Sequence, residues 1–111
     1  MPTNRNQIRQ DAVELAALVN RICGKIEGSR QYVDRLFNAV VVIGSALTSL
    51  RNSRDELGIV RRLNVAIDAC SELMFVAKAL VFCGDLSEDE YKLIKKSTSS
   101  IERRMITSLS E

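Results

Sequence analysis

Seven apolar residues, Val60, Leu63, Ile67, Cys70, Met74, Ala77 and Val81, follow one another at spacings that alternate three and four. An α-helix turns once in about 3.6 residues. That alternation therefore keeps all seven on one stripe, the signature of a helix packed against other helices. The same alternation appears in three further places. Ile8, Ala12, Leu15, Val19, Ile22 and Ile26 carry it first, then Val33, Leu36, Val40, Ile43, Leu47 and Leu50. Tyr91, Ile94, Thr98, Ile101, Met105 and Leu109 carry it last. The spacing predicts helices over 6–26, 30–50, 54–83 and 88–109 of a single 111-residue domain. Connections of only a few residues force successive helices to run antiparallel. The predicted fold is all-α, an up-down-up-down four-helix bundle.

Local signals mark the helix ends. Gly28 stops the first helix and Ser29 is placed to cap the second. Ser53 and Glu56 have the spacing of a capping box, as do Ser87 and Glu90. Gly84 closes the third helix. Two places are weaker. The run Ala39–Ile43, rich in β-branched residues, also suits a strand, but the continuous stripe on either side favours helix. Gly44-Ser45 reads as a bend or as a site of close approach. Ser97–Ser100 weakens the fourth helix, because such side chains compete for backbone hydrogen bonds.

Composition narrows the chemistry. Hydrophobic residues are 46% of the chain and aromatic residues only 5%, so the core is aliphatic. There is no histidine. That removes the Glu-x-x-His di-iron sites of helical bundles and every Ser-His or Cys-His nucleophile. It also removes the Arg–His pair of helical ribonucleases of the HEPN type. No Gly-rich phosphate loop is present. Cys23, Cys70 and Cys83 are an odd number without Cys-x-x-Cys spacing, and are expected to be small buried hydrophobes in a reducing compartment. No catalytic residue, metal or cofactor is expected. Asp68 and Glu72, one turn apart, are assigned to holding Arg61, Arg62 or a neighbouring subunit. The N-terminal residues are polar. The most apolar run, Leu73–Cys83, is interrupted by Lys78 and falls short of the roughly 20 residues that span a bilayer. A cytoplasmic protein with no membrane partner is expected.

The third helix carries more apolar surface than one bundle uses. Ile59, Ala66, Leu73 and Leu80 recur every seven residues beside the first stripe, and Phe75 and Phe82 add a pair with the same spacing. A helix apolar all round is buried all round. These six residues are the expected interface of a homo-oligomer.

The charges sort by end. In an antiparallel bundle Arg5, Arg9, Arg51, Arg54, Arg61, Arg62, Arg103 and Arg104 gather at one end, with no lysine among them. Arginine binds phosphate in bidentate fashion, so the cluster suits nucleic acid. Arg51, Arg54, Arg61, Arg62, Arg103 and Arg104 are the expected phosphate contacts. Asp11, Glu14, Asp55, Glu56 and Glu102 lie close enough in sequence to pair with some of them. The net charge is only +2, which leaves a salt-bridged surface as the other reading. A non-enzymatic binding protein and a protein-interaction scaffold without nucleic-acid binding both fit.

The segment Arg62-Leu-Asn-Val-Ala66-Ile-Asp-Ala69-Cys-Ser-Glu72-Leu73, the turn Gly84-Asp-Leu-Ser87 with Glu90-Tyr91, and the closing Ile101-Glu-Arg-Arg104-Met105-Ile-Thr-Ser-Leu109 resemble one four-helix bundle family. That family includes the protein encoded in intervening sequences of bacterial 23S ribosomal RNA genes. It also includes the accessory variability determinant of diversity-generating retroelements. The resemblance implies a pentameric, barrel-like ring of bundles. In the retroelement branch it implies a basic surface that binds RNA or DNA and a reverse transcriptase.

Overall fold

The computed structural model describes residues 5–50 and 55–110. These residues form α1 (Arg5–Cys23), α2 (Arg30–Ser49), α3 (Glu56–Phe82) and α4 (Glu88–Leu109), with no strand among them. The β-branched run of α2 is helical, with Ala39, Val40 and Ile43 buried. Burying one stripe outweighs local strand preference there. α1 packs on α2 and α4, and α3 packs on the same two helices. The long axis of the molecule, 43 Å, is close to the length of α3 alone.

The core is aliphatic, as the composition requires. Ile8, Leu15 and Val19 of α1 meet Val33, Leu36, Ile43 and Leu47 of α2, and Ile94, Ile101 and Met105 of α4, in one cluster. On α3 the inward face is Leu63, Ala66, Ala69, Cys70, Leu73, Val76, Ala77 and Leu80. This corrects the expectation for that helix. Ala66, Leu73 and Leu80 are fully buried inside the chain and are not available to a partner. Ile59 is half-buried against the same core. Two helices flank α3, so the centre of its buried face falls between the two sequence rows. Ile67, Met74 and Val81 of the first row are only half-buried. Of the six residues expected at an interface, Phe75 and Phe82 stand in solvent, 66% and 83% exposed.

Thr98 is the buried polar residue of the core, and its hydroxyl donates to the Ile94 carbonyl at 2.7 Å. That internal bond removes the cost of an unpaired buried hydroxyl.

The helix ends follow the sequence in part. Ser87 accepts from the Glu90 backbone N–H at 3.1 Å, and Glu90 accepts from the Ser87 N–H at 3.0 Å, completing the expected capping box. α3 closes in a Schellman turn. The Asp85 N–H donates to Leu80 and the Gly84 N–H to Val81, with Gly84 at φ 82° where a side chain is disfavoured. Of the other expected box, Ser53 lies outside the described residues; α3 is capped by Asp55, which accepts from the Gly58 N–H. α1 ends at Cys23, before Gly28, because the chain turns to bury Ile26. Ser29 does not cap α2. It sits at φ 50° and its hydroxyl donates instead to Asp85, in the turn between α3 and α4. Gly28 makes room for that contact, since a Cβ there would lie 3.3 Å from the Asp85 carboxylate.

Leu73→Ala is expected to cost about 2–5 kcal/mol of unfolding free energy, because it opens a cavity at a fully enclosed site. Ser87→Ala is expected to cost about 1 kcal/mol through the lost cap. Urea unfolding at a fixed chain concentration checks both, as a lower midpoint at unchanged slope.

Candidate nucleic-acid interface

Three helix segments carry those of the eight expected arginines that lie within the described residues. Arg5 and Arg9 occupy the first turns of α1, Arg61 and Arg62 the second turn of α3, and Arg103 and Arg104 the last turns of α4. Arg51 and Arg54 lie outside the described residues. Two contacts tie these segments together. The Arg104 guanidinium lies 3.1 Å from Asp11 of α1, and Arg5 reaches the Leu50 carbonyl at the end of α2 at 3.5 Å. The chain between Leu50 and Glu56 is short, so the start of α3 belongs to the same end.

Their environments differ. Arg104 is paired with Asp11, whose other carboxylate oxygen accepts from Gln7 at 2.9 Å. Arg62 folds back along its own helix and donates to the Gly58 carbonyl at 3.2 Å. Arg9 donates to Asn6 one turn earlier. Arg61 and Arg103 are exposed, and neither has an ion pair or hydrogen bond among the described residues. Among the described arginines at this end, these two guanidinium groups are the unpaired ones. Glu72, expected near Arg61 and Arg62, pairs instead with Arg35 of α2 at 3.1 Å.

The surface of α4 adds two residues that sequence reasoning passed over. Ser100, Arg103, Arg104 and Thr107 line a shallow depression of about 300 Å³. Their spacing of three, one and three puts them on one helix face, beside the buried row of Ile94, Thr98, Ile101 and Met105. Two guanidinium groups and two hydroxyls are donors suited to phosphate oxygens. The polar spacing is legible in the sequence, where Ser100 marks only a weak point of the helix.

The described residues hold no group of three or more metal-ligating side chains, and no helix among them is long and apolar enough to cross a membrane. The thiols divide. Cys23 and Cys70 are buried, and burial raises them to about 11 and about 12, with a smaller contribution from Glu90 and Glu102 respectively. Cys83, expected inside, is exposed at the end of α3. Because the thiolate is the reactive form, a thiol reagent at about pH 8 is expected to label Cys83 alone in the native protein. In denaturant it is expected to label all three. Mass spectrometry of the labelled chain reads both states.

No known family profile matches the sequence, and no curated protein matches it. Among solved structures, the chain is similar to a protein of unknown function from the S23 ribosomal protein family of Bacteroides thetaiotaomicron. The TM-score is 0.88 at 13% identity, covering 96% of this chain and 98% of that one. At that identity the likeness shows the fold: a small, compact, all-helical chain of four helices.

Proposed function

We propose that this chain is a non-enzymatic, homo-oligomeric accessory protein of the cytoplasm that binds RNA or DNA through its arginine-rich end. The observation that carries the reading is the pair of exposed, unpaired guanidinium groups, Arg61 and Arg103, set among further arginines at one end of the bundle. The up-down-up-down course belongs to this reading. Its support is that Asp11 and Lys25, near opposite ends of α1, contact Arg104 and Glu90, near opposite ends of α4. Ring assembly, with five copies, rests on the sequence resemblance. So does a reverse transcriptase as protein partner. Assembly would repeat the basic end around the ring and raise the local positive potential.

Phosphate recognition by arginine releases counterions, so affinity falls steeply with salt. Fluorescence anisotropy with a labelled RNA and a labelled DNA duplex is expected to show binding at about 50 mM salt that weakens about tenfold or more by about 200 mM. The double variant Arg61→Glu/Arg103→Glu is expected to lose binding while keeping the helical signal and mass of the parent. Salt-independent affinity would overturn the reading. The absence of binding at low salt would leave the interaction scaffold in its place.

A further inference from the structure

The exposed side of α4 carries cations beyond those of the arginine-rich end. Lys92, Lys96, Ser99 and Arg103 follow one another at spacings of four, three and four, and all of them are exposed. At about 100° per residue they fall within a sector of about 60°, on the side opposite the buried row of Ile94, Thr98, Ile101 and Met105. Lys92, Lys95 and Lys96 have neither an ion pair nor a hydrogen bond among the described residues. The acids of α4 are drawn elsewhere. Glu88 and Glu90, in its first turn, pair with Lys78 of α3 and Lys25 of α1. Beyond that turn Glu102 is the single carboxylate of the helix, and its charge acts inward on buried Cys70 of α3. On the α1 side Asp11 and Glu14 border a shallow depression with Lys96, but Asp11 is already held by Arg104. The outward row of α4 therefore stays cationic over about 16 Å, from Lys92 to Arg103.

We propose that a nucleic-acid duplex lies along this side of α4, its phosphates contacted by Lys92, Lys96 and Arg103 without any reading of base sequence. This rests on the nucleic-acid reading above and deepens it, by naming the ligand as double-stranded and setting its path along the helix. Charge complementarity is the first support. A duplex carries one phosphate per about 1.7 Å of its axis, so about ten fall within the length of the row. At that density a straight row of cations meets phosphates at any register. The residue types are the second support. Lysine is a point charge on a flexible stem, without the planar fork of arginine, and phosphate contacts carry no sequence information. The third support is where the aromatic rings are. Proteins that hold single strands stack bases on aromatic side chains. None of the five aromatic residues stands on this row. Tyr32 and Phe37 belong to α2, and Phe75 and Phe82 to α3. Tyr91, near the start of α4, packs half-buried on the core with Lys78 4.7 Å above its ring.

The test is the double variant Lys92→Gln/Lys96→Gln, at two exposed positions, with circular dichroism and light scattering to confirm unchanged helix and mass. Fluorescence anisotropy over a salt series follows binding to labelled duplexes of two unrelated sequences and to one of their single strands. The wild type is expected to bind either duplex more tightly than the single strand. In the variant the slope of log affinity against log salt is expected to fall by about two, equally for both duplexes, because two phosphate contacts are lost. Lys25→Gln/Lys78→Gln removes the same charge from residues that are already paired, and is expected to leave the slope as it was. A wild type that binds no nucleic acid at low salt would overturn the proposed function and this path with it. Steep salt dependence that Lys92→Gln/Lys96→Gln leaves unchanged would overturn the path along α4 and leave the arginine-rich end standing. So would an equal loss of slope in the Lys25→Gln/Lys78→Gln control. Tighter binding of the single strand would overturn the duplex assignment.

Discussion

The rest of the molecule depends on burying the broad apolar face of α3. Eight of its residues, from Leu63 to Leu80, lie inside the chain. A face that wide cannot be covered by one neighbour, so α2 and α4 both pack on it, and α1 closes the remaining side against those two. Each fully buried aliphatic side chain contributes on the order of 1.5–3 kcal/mol of transfer free energy. The aliphatic character of the cluster leaves few polar groups to satisfy. Thr98 is paired within its own helix, and Cys23 and Cys70 are held as neutral thiols by burial. Among the described residues the buried side chains are thus apolar or neutral, Thr98 included.

Two kinds of surface stand out, and they lie on different parts of the bundle. One is the arginine-bearing end, where pairing separates the structural arginines from the accessible ones. Arg104 fastens α4 to α1, and Arg62 lies along α3, whereas Arg61 and Arg103 extend into solvent. The other is apolar, made of the exposed phenylalanines of α3 and the groove between α1 and α2. A chain that held only the first would be an ordinary basic bundle. The proposed function assigns assembly and charge presentation to these separate surfaces.

The turns show how distant residues redirect local signals. Ser29 has the residue type and position of a helix cap, and Ser87 has the same credentials. Ser87 performs as a cap because Glu90, three residues on, answers it. Ser29 does not, because Asp85, distant in sequence, accepts its hydroxyl and the backbone at Ser29 adopts a left-handed conformation. The turn after α1 is thereby tied to the turn after α3, which fixes both at one end of the bundle.

The number of helices, their order, the aliphatic core and most of its residues on α1, α2 and α4 were legible in the order of amino acids, because a single apolar stripe is a local property. So was the capping box at Ser87. On α3 the stripe was ambiguous: two adjacent rows share nearly the same period, and which points inward depends on where α2 and α4 sit. That is why Ala66, Leu73 and Leu80 read as interface and are core, while Phe75 and Phe82 face solvent. The exposure of Cys83, the pairing of Glu72 with Arg35 and the freedom of Arg61 and Arg103 were likewise beyond reach. Composition announces how many charges a chain has. Which of them remain unpaired, and whether the space beside Gly44 is filled or open, is settled through space between helices that the sequence keeps apart.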